Sequence, residues 1–239
     1  MSRRILITND DGIGADGIRK LAEIAVGFGE VTIVAPDTQR SAASHHCIFS
    51  RPLILKEYDF GLRGVKAYTL DGTPADCARV GISALDSRPD IVLSGINHGY
   101  NISSDIQYSG TVGAALEAAF LGVGAIAVSY GNHLFRAKDI VDRYLPELLE
   151  EYMEKPLPAN QVWNINFPDC RADECRGIIR NAVMNTEHFY DDQYVREKTG
   201  DGTWSVTNIT GRNWKGPEGS DIQAVVNRYI AVGTVTNLT

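Results

Sequence analysis

Arg4-Ile5-Leu6-Ile7-Thr8-Asn9-Asp10-Asp11-Gly12 sets the reading of this chain. A short apolar, β-favouring run breaks off into an amide and two adjacent carboxylates, and the next segment, Asp16 to Val26, spaces its apolar residues as a helix does. Strand, polar turn and helix in that order open a parallel sheet covered on both faces. The unit recurs: expected strands Glu30 to Ala35, Pro89 to Ser94, Gly124 to Ser129 and Gln161 to Asn166 alternate with expected helices Thr73 to Ser87, Thr111 to Leu121 and Arg136 to Glu154. The fold class is α/β, a doubly wound, mostly parallel sheet.

Two stretches depart from the rhythm. Residues 45–70 read as a β-hairpin excursion, with extended segments His45 to Lys56 and Lys66 to Leu70 around a Gly61 to Gly64 turn. After Pro168, Gly177 to Met184, Tyr194 to Lys198 and Thr203 to Ile209 read as strands, the last two joined by the turn Thr199-Gly200-Asp201-Gly202. Ser220-Asp221 then starts a short helix to about Arg228, and Tyr229 to Val235 closes as a strand. Residues 1–168 are thus the expected α/β core, and residues 169–239 a β-rich C-terminal appendage of the same domain, with a partner-subunit role and a lid role equally open.

With 239 residues the chain is long enough for one large core, and 44% hydrophobic against 22% charged residues excludes disordered, collagenous and coiled-coil classes. Basic residues number 23 against 30 acidic ones, a formal charge of −7, so no diffuse basic field exists to hold long nucleic acid. The N-terminus shows no secretory or transit pattern, and the most apolar stretch, Gly113 to Val128, carries Glu117 and falls short of a membrane span. A cytoplasmic location without membrane contact is expected. Cys47, Cys77, Cys170 and Cys175 are expected as reduced thiols.

In open parallel sheets ligands bind beyond the carboxyl ends of the strands. Three such ends carry chemistry here: Asn9-Asp10-Asp11 after the first, Asp37 with Arg40-Ser41 after the second, and Asn97 after the third. Two carboxylates about 4 Å apart repel by about 4 kcal/mol at an effective dielectric near 20. A divalent cation removes that cost, whereas the plain alternative makes one aspartate a helix cap and leaves the other solvated. Agreement among the strand ends favours the cation, and hard oxygen donors favour Mg²⁺ or Mn²⁺ over Zn²⁺.

Tyr108-Ser109-Gly110-Thr111-Val112-Gly113 runs directly into an Ala-rich helix, whose free first-turn N–H groups and positive dipole end suit a phosphate. An ordinary Ser or Thr N-cap is the alternative. Asn101 serves equally well as a hydrogen-bond partner for a substrate oxygen or as a turn stabiliser. Gly12-Ile13-Gly14-Ala15-Asp16-Gly17 matches a dinucleotide-binding pattern, yet Asp10 and Asp11 stand where a pyrophosphate would lie. His45 and His46, expected on opposite strand faces, read as hairpin or surface residues with one substrate contact between them. Cys170 and Arg176 match the spacing of a cysteine phosphatase, but Asp173 and Glu174 lie inside that loop.

Five motifs in order resemble the SurE survival-protein family of metal-dependent nucleotide phosphatases: Thr8 to Gly12, Ala35-Pro36-Asp37 with Arg40-Ser41, Gly72 to Cys77, Ser94 to Asn101, and Tyr108 to Ala115. The resemblance implies a Rossmann-like core of three layers, α/β/α, and oligomers built on dimers, with a hairpin and C-terminal segment exchanged between subunits. It also implies one divalent ion held by Asp10, Asp11, Ser41 and Asn97, with Ser109, Gly110 and Thr111 near the substrate phosphate. Nucleoside 5′- and 3′-monophosphates are the implied substrates. Asn9 and Asn101 join the expected substrate-binding set, and Asp10 and Asp11 are the expected catalytic pair. The chain departs from the family pattern at Ala42 and Ser103, where glycine is usual, and at Ala231 to Val235. A metal-dependent nucleotide-binding protein without turnover and an NAD-dependent oxidoreductase are the rival expectations.

Overall fold

The computed structural model describes residues 2–86, 88–131 and 138–237. At the centre lies β1 (Arg3–Thr8), flanked in parallel by β2 (Gly29–Pro36) and β5 (Ile91–His98). Beyond β5 come β6 (Gly124–Tyr130) and β7 (Gln161–Phe167), also parallel. Because β1 leads to β2 on one side while β5 lies on the other, the chain reverses direction across the sheet at β1, and the crevice between the ends of β1 and β5 is the switch point.

Alternation along the strands assigns the layers. Ile5 and Ile7 of β1 enter one core with α1 (Asp16–Ala25) and α4 (Lys138–Met153), while Leu6 enters the other with α2 (Pro74–Ser83) and α3 (Gly110–Phe120). In α1 the buried residues Ile18, Leu21, Ala22 and Ala25 form one stripe. Thr73 caps α2 through a reciprocal pair with Asp76, and Pro74 takes the first position. The expected α/β/α architecture is present. The expected helix starts at Arg136, outside the described residues, as does Ser87 at the expected end of α2.

Several expectations need correction. Residues 45–54 form no strand; only β3 (Leu55–Glu57) pairs with β4 (Lys66–Leu70), with β3 at the edge of the main sheet and β4 inside it, parallel to β2. The irregular stretch is consistent with its interrupted hydrophobic pattern around Arg51-Pro52. The β-rich region after Pro168 divides. β8 (Ile178–Arg180) and β11 (Ile230–Thr236) enter the main sheet beside β7, whereas β9 (Tyr190–Gly200) and β10 (Thr203–Arg212) form a separate antiparallel ribbon. A third apolar cluster, including Tyr100, Phe189 and Ile222, packs beneath α5 (Asp221–Val226). All four cysteines are free thiols, and no helix among the described residues is long and apolar enough to cross a membrane.

Candidate active site

β5 continues four residues beyond its expected end, so Asn97 lies within the strand, across the switch-point crevice from Asp10 and Asp11. The Asp11 carboxylate accepts the backbone N–H of His98 at 3.0 Å and the Gln39 amide at 3.1 Å, tying the end of β1 to β5 and to the loop after β2. His98 Nδ1 stands 3.9 Å from the same carboxylate. Asp10 is buried, and Thr111 Oγ1 donates to it at 2.5 Å. Its carbonyl accepts the Arg40 N–H at 2.7 Å, which brings the backbone preceding Ser41 against the carboxylate pair.

Burial, with Asp11 adding its charge, pushes the Asp10 carboxyl up to about 7 despite the hydrogen bond from Thr111. A buried carboxylate that feels the charge of a neighbouring one is the arrangement that a cation stabilises. Among the described residues no cluster of three or more His, Cys, Asp or Glu side chains is disposed for a metal. A cation here would therefore rest on the aspartates with hydroxyl and amide oxygens, a hard donor set. Asn97 Nδ2 donates to the Gly99 carbonyl at 2.9 Å, which leaves its side-chain oxygen as the atom that could meet a cation, and Ser41 is exposed on its loop.

Ser109 caps α3, its hydroxyl accepting the Val112 N–H at 3.0 Å. A Cβ on Gly110 would lie 2.9 Å from Asp10 Cβ, so the absence of a side chain lets the helix N-terminus abut the carboxylate. The first-turn N–H groups of Gly110 and Thr111 have no acceptor within the helix. The Thr111 hydroxyl is engaged with Asp10. Asn9 is fully buried: its nitrogen donates to the Gly12 carbonyl at 2.9 Å, and its oxygen is a buried acceptor without a protein partner. Asn101 is knitted to Asn164, Asn166 and Ser129 through its backbone and its amide nitrogen, so turn stabilisation is the role visible in its contacts.

The sequence patterns that mimic other sites have packing explanations. A Cβ on Gly17 would sit 2.0 Å from the Ile96 carbonyl oxygen, so the last glycine of the dinucleotide-like pattern serves the approach of α1 to β5. Burial, followed by Cys175, pushes the Cys170 thiol up to about 11, opposite to the thiolate that a cysteine nucleophile requires. His45, expected as a hairpin or surface residue, lies in the irregular loop, half-buried and 2.6 Å from Glu117 of α3, a partner that only tertiary structure supplies.

A cleft of ≈ 620 Å³ opens beside Ala42 and Tyr108, the neighbours of Ser41 and Ser109, and is lined further by Asp105, Tyr190, Tyr194 and Arg212. Another, of ≈ 480 Å³, lies at the amino ends of β5 to β7, bordered by Asp90, Gly122 and Trp163. That is the end of the sheet opposite the switch-point crevice, and its Asp90 is engaged with Arg4 at 2.7 Å. Ala42 and Ser103 adopt φ of 57° and 58°, left-handed backbone in which glycine is favoured.

Comparison with known proteins identifies the family. The family model described as "Survival protein SurE" matches residues 5–189. "5′-nucleotidase SurE" of Aeromonas hydrophila subsp. hydrophila is 36% identical over 235 residues, covering 98% of this chain and 92% of the relative. The protein of the same name from Thermoanaerobacter sp. (strain X514) is 47% identical over 239 residues, covering 96% and 90%. The crystal structure of the SurE protein from Aquifex aeolicus superposes with a TM-score of 0.83 at 31% identity, covering 99% of this chain and 94% of that one. With its carboxylate pair at the switch point and a family match across most of its length, the chain belongs to the SurE survival-protein family.

Proposed function

We propose that this protein hydrolyses nucleoside 5′- and 3′-monophosphates to nucleoside and phosphate, using one divalent ion, Mg²⁺ or Mn²⁺. The relatives' name, 5′-nucleotidase, supports the reaction class. The observation that carries the reading is the contact of Asp10 with Thr111 and Gly110, which joins a paired-carboxylate turn to a helix N-terminus.

Asp10, Asp11, Ser41 and Asn97 would hold the cation, and the buried, mutually repelling carboxylates fit it. When bound, a divalent ion supplies Lewis-acid polarisation of the phosphoryl group and offsets its charge. The protein's own part is positional. The Ser109 to Thr111 turn offers N–H groups to the phosphoryl oxygens, as a phosphate at a helix N-terminus requires. Thr111 holds Asp10 in place through its hydroxyl, and one aspartate of the pair takes the proton of the attacking water. Asn9 braces the turn from below. The tyrosine-lined cleft is of a volume that suits a nucleoside, with Tyr108, Tyr190 and Tyr194 offering aromatic surface to the base.

The ribbon of β9 and β10 stands outside the main sheet with Tyr194, Trp204, Val206 and Ile209 exposed. A two-stranded ribbon is marginal alone, which supports a homodimer or a dimer of dimers in which a second copy covers it.

The test is phosphate release from a panel of 5′- and 3′-nucleoside monophosphates in EDTA, Mg²⁺ or Mn²⁺, beside Asp10→Asn and Asp11→Asn. Cation-dependent release from the parent and loss of at least about a hundredfold in both variants are expected for groups that hold the cation. Full activity of Asp11→Asn with unchanged cation affinity would overturn the assignment. Nucleotide binding without release would move the reading to a non-catalytic nucleotide-binding protein.

A further inference from the structure

The loop that carries Ser41 has neither strand nor helix over residues 39–54, so its place above the carboxylates must come from tertiary contacts. Those contacts converge on α3. Gly110, Gly113 and Glu117 are spaced i, i+3, i+7 and lie along one stripe of that helix. The first abuts Asp10. A Cβ on the second would lie 2.2 Å from the Ser44 carbonyl oxygen and 3.1 Å from His45 Cα, so the loop backbone rests directly on the helix there. The third, Glu117, is 4% exposed and engages His45 Nε2 at 2.6 Å and the Arg79 guanidinium from α2.

Around this stripe the loop is pinned at other points. Ser44 donates its N–H to the Tyr108 carbonyl at 3.1 Å and its hydroxyl to the Gln107 carbonyl at 2.6 Å, and Thr73 Oγ1 donates to the His46 carbonyl at 2.5 Å. Ala42 and Ser44 are held at φ of 57° and 54°, a conformation that persists only where the surroundings enforce it. Burial opposes the charge on Glu117, and the contacts with His45 and Arg79 outweigh it, so the carboxyl titrates below its ordinary value.

We infer that Glu117, acting through His45, is a positioning residue that sets the Ser41 loop over Asp10 and Asp11 and thereby tunes cation affinity. This rests on the cation site proposed above. Helix α3 thus acts at two places along one stripe. Its first turn faces the phosphate, and two turns later it holds the loop that completes the cation's ligand set.

The experiment is calorimetric titration of the parent, His45→Ala, Glu117→Gln and the double variant with Mn²⁺, with thermal unfolding of each and initial rates at limiting and saturating Mn²⁺. Groups that orient metal ligands change affinity by about tenfold to a hundredfold. Each variant is expected to bind Mn²⁺ at least about tenfold more weakly and to recover rate as Mn²⁺ is raised, a rescue that general loss of structure does not give. The double variant is expected to be no weaker than Glu117→Gln, because the two residues act as one unit. Parent-like Mn²⁺ affinity in folded variants would overturn the inference alone, whereas a parent that binds no Mn²⁺ would overturn the cation site as well. Should Glu117→Gln not fold, His45→Ala decides, since the His45 side chain is 30% exposed.

Discussion

Asp10 is the residue on which the proposed chemistry turns. Burial and then Asp11 hold its carboxyl at about 7, against an ordinary unfolded value near 3.9. Between those values the folded protein keeps a proton that the unfolded chain has released. The resulting stability is fully present below about pH 4 and is lost as pH rises through about 7, each unit of displacement corresponding to about 1.4 kcal/mol. Protein freed of cations is therefore expected to lose melting temperature between about pH 4 and pH 7, and Asp10→Asn to shrink that loss in parallel melts. Cation binding near neutral pH must expel the same proton. Calorimetry with Mn²⁺ in buffers of different ionisation enthalpy should count it, and a count unchanged by Asp10→Asn would exclude this carboxyl as its source. Asp10, Asp11 and the 109–111 turn were legible because each lies at a strand or helix end, where local sequence announces it. His45 was not, since its partner Glu117 is 72 positions away.

At the scale of elements, the close seat of α1 on β5 and the exposed ribbon make separate predictions. Replacing Gly17 by Ala places a methyl group 2.0 Å from the Ile96 carbonyl oxygen, and neither backbone can yield freely. Overpacking of this kind costs about 1–3 kcal/mol; denaturant unfolding of Gly17→Ala should show it, together with reduced activity, because Asn97 follows Ile96 directly. In β10, Trp204 and Val206 alternate onto one face and are both exposed, and Arg196 stacks over Trp204 at 4.8 Å. Converting both to Asp is expected to reduce the proposed dimer in sedimentation velocity while the core melts as before. An unchanged sedimentation coefficient would remove that face from the subunit contact. The ribbon itself was legible from its Asp201-Gly202 turn, although β9 begins at Tyr190 rather than Tyr194. The entry of β4, β8 and β11 into the main sheet was not, because short apolar runs carry no record of which edge they join.

For the whole molecule, a ligand that binds only the folded state stabilises by about 2.7 kcal/mol at a hundred times its dissociation constant. In a domain of this size each kcal/mol shifts the melting midpoint by about 2–4 °C, so saturating Mn²⁺ is expected to raise it by about 5–11 °C over EDTA. Asp11→Asn should lose the shift. The α/β class, the strand-end carboxylates and the small hydroxyl-rich turn before α3 were determined by sequence alone, since periodicity, abrupt polar termini and turn residues are local and energetically strong signals, while the choice of Ser109 as the cap came from the structure. Strand order, and with it the crevice between β1 and β5, was decided only by tertiary structure. So were the proton held on Asp10 and the grip of Glu117 on the Ser41 loop. These last three depend on burial and on the meeting of residues far apart in the chain, and neither quantity is written in the order of residues along one segment.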